Sequence, residues 1–157
     1  MVVSAIAVTP ERQQSFSFSR PYYYEPQVLL RPAASREDDP RALSAIGVLT
    51  GSSALGWLSR LGVRPAAMQL YDGLPPMIVD LRHGTIQAAF GDAHAMFQAS
   101  NGDPSLRVVR KPAFGQDAYA FVLRKDEPAL LAQTNHGLAA LQSAGTINKL
   151  RLSYPGL

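Results

Sequence analysis

The sequence predicts an α/β protein, and three observations point to that class. From Ile46 onward, short apolar segments alternate with segments of helical spacing, which is typical of parallel β–α units in a doubly wound sheet. The chain has 157 residues, 46% of them hydrophobic, so it can bury a core of ordinary domain size. It contains no cysteine, which excludes a disulfide scaffold, a zinc ribbon and a thiol nucleophile.

The first third of the chain is predicted to form strands joined by turns. Thr9 and Pro10 are typical of the cap and the first position of a helix. The polar segment Pro32–Pro40 predicts a linker or an exposed loop. Three segments have the apolar or alternating pattern of strands: Val2–Val8, Ser15–Ser19 and Val28–Leu30. The composition of Val2–Val8 predicts a buried strand.

The remaining two thirds are predicted to alternate regularly between strands and helices. The strands are predicted at Ile46–Leu49, Ala67–Tyr71, Ile86–Phe90, Leu106–Val109 and Tyr119–Leu123. The helices are predicted at Ala54–Leu61, Pro75–Arg82, Asp92–Ala99, Pro128–Gln142 and Thr146–Leu152. Because helices follow the strands, the sheet is expected to be covered on both faces.

Charge and hydropathy give little support for nucleic-acid binding and none for a membrane span. The net charge is +3 and the arginines are scattered rather than clustered, so no nucleic-acid face is predicted. No apolar run approaches the roughly 18 residues of a membrane span. The apolar segment Met1–Pro10 lacks a basic leader region, and we expect a strand there rather than a signal peptide.

The turn after the strand Ile46–Leu49 is a candidate binding loop. Thr50, Ser52 and Ser53 surround a glycine at the predicted start of a helix. Free backbone N–H groups and the helix dipole at such a junction favour a carboxylate or a phosphate. The alternative is a simple capped turn, and the Gly-Lys-Ser/Thr ending of a nucleotide-binding loop is missing.

Two charged residues are further candidates. Asp92 follows a predicted parallel strand, where open α/β sheets place their ligands, and its carboxylate suits an ammonium group; the alternative is a plain helix cap. Arg12 can hold a carboxylate with two hydrogen bonds; the alternative is a surface ion pair with Glu11 or Asp39. We predict no metal site, because the three histidines lack the spacing of metal ligands: His83, His94 and His136. We also predict no cofactor and no catalytic residue.

Several motifs in fixed order resemble one family. They are Ser4–Arg12, Phe18–Tyr23, Ile46–Ser53, Leu81–Ala88 with Gly91–Ala93, Tyr119–Lys125 and Gly145–Leu150. Together they are similar to the polar amino-acid type of solute-binding proteins, family 3, which serve ABC importers. The family carries Ser or Thr where this chain has Ala7.

The resemblance implies a fold, a ligand and partners. The fold is the periplasmic-binding-protein-like type II, with residues 32–113 as one complete doubly wound lobe. Residues 1–31 and 114–157 would form a partial first lobe, joined to the other by two hinge strands. A free amino acid would bind between the lobes, with Arg12 and Ser53 at its carboxylate and Asp92 at its ammonium. The resemblance also implies a non-catalytic protein that is periplasmic or extracellular. Its partner would be the membrane permease of an ABC transporter, to which it delivers the ligand.

The resemblance also leaves alternatives open. A ligand-sensing domain of a signalling receptor uses the same clamp, and some dehydratases share the fold. Family segments that precede Val2 are not found in the chain. We therefore expect an exposed apolar edge on the first lobe, weak ligand binding by the chain alone, and self-association through that edge.

Overall fold

The computed structural model describes residues 1–153, and the last four residues of the predicted first lobe lie outside the described part. The chain divides into two compact units. The central unit is Pro26–Gln116, and the terminal unit combines Met1–Glu25 with the segment that begins at Asp117. The division of the chain into lobes at 31/32 and 113/114 stays a prediction.

The secondary structure consists of short strands and helices along the whole described chain. The strands are β1 Val2–Ala7, β2 Ser17–Phe18, β3 Tyr23–Pro32, β4 Ile46–Leu49, β5 Met68–Tyr71, β6 Ala88–Asp92, β7 Leu106–Arg110 and β8 Gln116–Leu123. The helices are α1 Pro10–Ser15, α2 Ala54–Arg60, α3 Leu74–His83, α4 Ala93–Ser100, α5 Pro128–Ser143 and α6 Thr146–Ser153. Short 3-10 turns lie at Pro40–Ala42, Pro65–Ala67 and Pro112–Phe114. No helix among the described residues has the length and apolar character needed to cross a membrane.

The β–α alternation is confirmed, and β6 is shifted toward the C-terminus from its predicted position. The segment Ile86–Phe90 was expected to be the strand, but β6 runs from Ala88 to Asp92. Gly84 ends α3 in a left-handed conformation, and the N–H groups of Thr85 and Ile86 donate to the carbonyl of Asp80. The backbone N–H of Ile86 therefore bonds to the end of α3 instead of joining the strand, although the side chain of Ile86 is fully buried.

The sheet of the central unit contains one strand that runs against the others. β4 pairs in parallel with β5 and β6, as the alternation predicts. β3 is antiparallel to both β6 and β7 and lies between them. The predicted strand at Leu106–Val109 thus joins the sheet through β3 rather than through a parallel neighbour. Strand order depends on contacts between distant segments, which local periodicity does not encode.

Side chains alternate along β3 between two apolar clusters, one on each face of the sheet. Leu29 packs with α2, through residues such as Leu58, on one face. Val28 and Leu30 pack with α3, through residues such as Met77, on the other. Helices therefore cover both faces of the sheet, as expected for a doubly wound arrangement.

The terminal unit contains an edge strand that is more exposed than predicted. β1 and β2 both pair with β8 in the antiparallel direction. The valine- and isoleucine-rich β1 was expected to be buried, but Val3 is 64% exposed and only Ala7 is buried. Thr9 caps α1 as predicted, since its Oγ1 accepts from the N–H of Arg12 at 3.3 Å.

Candidate functional site

The predicted loop and Asp92 lie at one edge of the central sheet. β4 and β6 are neighbouring parallel strands, with Ile46 opposite Ala88 and Gly47 opposite Ala89. Their carboxyl ends therefore point the same way, and the loop 50–53 follows one strand while Asp92 ends the other. This is the edge at which open α/β sheets bind ligands.

Ser52 and Asp92 line one small cavity within the central unit. Its volume is about 30 Å³, close to the space that one water molecule occupies. The other lining residues are Leu49, Ala54, Phe90, Gly91, Ala95 and Met96. The structure thus brings two of the predicted site residues together, whereas Thr50 and Ser53 lie in the same loop outside the lining of this cavity.

The side chain of Asp92 points toward β3 rather than toward its own helix. Its Oδ1 accepts a hydrogen bond from Nε2 of Gln27 at 2.6 Å, and the two residues are partners in the β3–β6 register. Asp92 stands at the N-cap position of α4, yet in the described part of the chain its side chain makes no capping hydrogen bond. The carboxylate is partly buried beside the fully buried Gln27. The hydrogen bonding of the Asp92 side chain therefore does not fit the plain helix cap that the sequence left open as the alternative.

Hydrogen bonds within the loop fix its backbone. The N–H of Thr50 donates to the carbonyl of Tyr71 at 2.8 Å, which extends the β4–β5 pairing by one residue. The Oγ of Ser52 donates to the carbonyl of Leu49 at 2.7 Å. Ser53 starts α2, and its carbonyl accepts from the N–H of Trp57 at 3.1 Å. The Ser52 hydroxyl keeps its acceptor lone pairs, while its proton is already engaged.

Arg12 belongs to the terminal unit. Its Nη1 donates to the carbonyl of Ala7 at 2.8 Å, which directs the guanidinium back over the end of β1. It lines a cavity of about 240 Å³ together with apolar side chains: Val2, Ile6, Phe16, Phe18 and Val122. Asp39, one of the ion-pair partners considered from the sequence, pairs with Arg41 instead.

Sequence reasoning missed Gln27. This residue opens the apolar run of β3 and is fully buried, so its amide must find hydrogen-bond partners within the protein. A single polar residue before Val28–Leu30 was the available signal. Its partner, 65 positions further along the chain, became identifiable only from the strand pairing.

A metal centre finds no support in the described chain. Among residues 1–153, no group of three or more histidine, aspartate or glutamate side chains could hold an ion.

Comparison with known proteins identifies the family. The sequence model of the bacterial extracellular solute-binding proteins, family 3, matches residues 1–156. The chain belongs to this family. The resemblance found in the sequence motifs is therefore confirmed.

Two curated relatives of this family 3 protein span a longer sequence. A probable histidine-binding protein of Neisseria gonorrhoeae is 26% identical, over 98% of this chain and 60% of its own length. The arginine-binding protein 1 of an ABC transporter in Escherichia coli K12 is 27% identical, over 95% of this chain and 63% of its own length. The chain thus spans about three fifths of these relatives.

A solved structure supports the fold. The arginine-, lysine-, histidine-binding protein ArtJ from Geobacillus stearothermophilus superposes with a TM-score of 0.81 at 22% identity, over 99% of this chain and 69% of that one. The predicted type II periplasmic-binding-protein-like α/β fold is confirmed at this level. At such low identity the match shows the fold and leaves the site to be argued from this chain's own residues.

Proposed function

We propose that this family 3 protein binds a free amino acid as the receptor component of an ABC importer, with Asp92 holding the α-ammonium group. The observation that carries the proposal is the orientation of Asp92. Its carboxylate turns away from the helix it could cap, is held by Gln27, and lines a cavity with Ser52 at the carboxyl edge of parallel strands. A partly buried, oriented carboxylate at this edge suits a cationic group.

The carboxylate of the amino acid is assigned to Arg12 and to the loop with Thr50, Ser52 and Ser53. The guanidinium of Arg12 presents several N–H donors in one plane, of which Nη1 is engaged with the Ala7 carbonyl. A carboxylate accepts hydrogen bonds only, so the hydroxyls of Thr50 and Ser53 are the loop donors assigned to it, while Ser52 keeps its proton on the carbonyl of Leu49. Arg12 and Asp92 carry the charges opposite to those of the carboxylate and the ammonium group of a zwitterion, respectively.

The proposed site includes no catalytic step. The relatives described above are named as binding proteins, and the assigned groups bind charge without forming a nucleophile–base pair. The family's extracellular character supports action outside the cytoplasmic membrane, with a membrane permease as the partner. The relatives' names point to histidine and arginine as the first ligands to test.

Calorimetry on the protein tests the proposal. Titration with L-histidine, L-arginine and L-glutamine should give saturable binding by at least one of them, and the N-acetylated form of that ligand should not bind. Asp92→Asn should weaken binding about thirtyfold or more, because removing one partner of a desolvated charge pair costs about 2–5 kcal/mol. Glu37→Gln removes the same charge at an exposed position of the same unit, away from this edge of the sheet, and should leave affinity unchanged. Equal affinity in wild type and Asp92→Asn would refute the assignment.

A further inference from the structure

We propose that the central unit carries a second binding site, for a small organic anion with an apolar body, apart from the cavity at Ser52 and Asp92. The site is a cavity of about 360 Å³, which we call the basic pocket. The residues that define its chemistry are Asp38, Asp39, Arg41, Arg60, Lys111 and Phe114. In the described chain the two cavities share no lining residue.

Both carboxylates of the basic pocket are already engaged. Asp38 accepts from the buried Arg31 at 2.6–2.7 Å, through two of that guanidinium's nitrogens. Asp39 accepts from Nε and Nη2 of Arg41 at 3.0 and 2.7 Å, in a two-point ion pair. These pairs balance the negative charge of the pocket and leave Arg60 and Lys111 as its surplus positive charge.

Arg60 and Lys111 are held in place by contacts that do not neutralise them. The guanidinium of Arg60 lies over the ring of Trp57, 4.0 Å from its centroid. The ammonium of Lys111 donates to the backbone carbonyl of Asp38 at 3.1 Å and stands 5.9 Å from the ring centroid of Phe114. Within residues 1–153 neither cation forms an ion pair with a carboxylate. Stacking on an aromatic face leaves the N–H groups at the rim of a guanidinium available to an oxyanion.

The surroundings explain why an anion with an apolar body fits. The hydrogen bonds that Asp39 accepts from Arg41 are the main cause that lowers the pKa of Asp39 to about 2, and the positive charge of Lys111 adds to this effect. Leu61 and the ring of Phe114 add apolar surface to the same cavity. A carboxylate or phosphate ester of an aromatic or aliphatic group would therefore place its charge on Arg60 and Lys111 and its carbon skeleton on this surface.

Trp57 provides a direct probe, because it is the single tryptophan of the chain and lies beneath Arg60. The protein would be titrated with phenyl phosphate at constant ionic strength, and binding would be followed in parallel by Trp57 fluorescence and by the heat released in a calorimeter. Saturable binding is expected by both methods. Arg60→Gln and Lys111→Gln should each weaken it about tenfold, the loss typical of a hydrogen bond to a charged group. Arg64→Gln removes an exposed positive charge outside the pocket and should leave binding unchanged.

Benzoate and inorganic phosphate separate the contributions of head and body. Benzoate should bind at the same residues, since carboxylate and phosphate share anionic oxygens, and inorganic phosphate should bind more weakly than phenyl phosphate. Inorganic phosphate binding as tightly as phenyl phosphate would overturn the apolar part of the proposal. An equal loss in Arg64→Gln and Arg60→Gln would show unspecific attraction to a basic surface and overturn the site itself, as would the absence of saturable binding.

Discussion

The side-chain amide of Gln27 donates to Oδ1 of Asp92 at 2.6 Å, across the antiparallel pair of β3 and β6. Gln27 is fully buried and Asp92 is partly buried. A short hydrogen bond to a carboxylate is stronger than one between neutral groups and fixes the orientation of both side chains. The pair therefore links a core position of β3 to the proposed ammonium-binding group.

Gln27→Met tests this positioning. Methionine has a similar length and suits the apolar surroundings, but it cannot donate to Asp92. Amino-acid affinity is expected to fall by about 1.5–3 kcal/mol, the contribution of one hydrogen bond to a charged group. Calorimetry provides the affinity, and Gln98→Met at an exposed helix position is the matched control. A purely structural role would instead lower the unfolding temperature of Gln27→Met while leaving its affinity intact.

The buried Arg31 predicts an asymmetric response to mutation. Arg31 is 2% exposed and donates to Asp38 and to the carbonyls of Pro32 and Ser35. Asp38→Asn should destabilise the protein by about 3–5 kcal/mol, because it leaves a buried positive charge uncompensated. The double variant Arg31→Met with Asp38→Asn should be more stable than the single variant Asp38→Asn. Urea unfolding measures both, and a double variant at least as unstable as the single one contradicts this account.

Gly115 is required by its conformation and by a close contact. Its φ is +86°, and a Cβ built there would overlap the ring of Trp57. Gly115→Ala should cost about 2–4 kcal/mol, since it combines backbone strain with overpacking, and should shift Trp57 fluorescence. Gly102→Ala, at a φ of +68° with open space around it, should cost only about 1 kcal/mol, whereas the ψ of −174° places Gly115 in a region that is essentially restricted to glycine. Thermal unfolding distinguishes them, and equal losses would mean that the ring contact contributes nothing.

The phenol group of Tyr71 is expected to lose its proton at a higher pH than an ordinary tyrosine. Burial, together with the hydrogen bond to Asp80 at 2.7 Å, raises its pKa to about 12 from the usual 10. The folded state therefore holds this proton longer than the unfolded state. The resulting stabilisation is complete below pH 10 and is lost as the pH rises through about 12. Tyrosinate absorbance of Asp80→Asn should show the late step moving toward pH 10, whereas Asp72→Asn should leave it in place.

Self-association through the terminal unit stays a prediction. Val3 and Phe16 are 64% and 47% exposed, and both belong to the terminal unit. Exposed apolar patches favour association between copies. Light scattering on the 157-residue chain should show dimers or larger species that dissociate in Val3→Ser with Phe16→Ser. Phe97→Ser, which removes a 59% exposed ring from the central unit, is the control, and a monomeric chain at high concentration would contradict the prediction.

The sequence by itself determined most of the secondary structure and the family of this protein. The Thr9–Pro10 helix start, the strand Ile46–Leu49 and the helix that follows it all depend on patterns that are complete within a few neighbouring residues. The motif order identified the family for the same reason, since each motif is short and contiguous.

The tertiary structure alone decided how distant segments meet. β3 lies antiparallel between β6 and β7, Gln27 meets Asp92, and Arg60 from α2 meets Lys111 from the segment after β7 in one cavity. The exposure of β1 also followed from its place at the edge of a sheet rather than from its valine-rich composition. In each case the deciding free energy comes from burial and hydrogen bonding between residues far apart in the chain, and local periodicity carries no record of these partners.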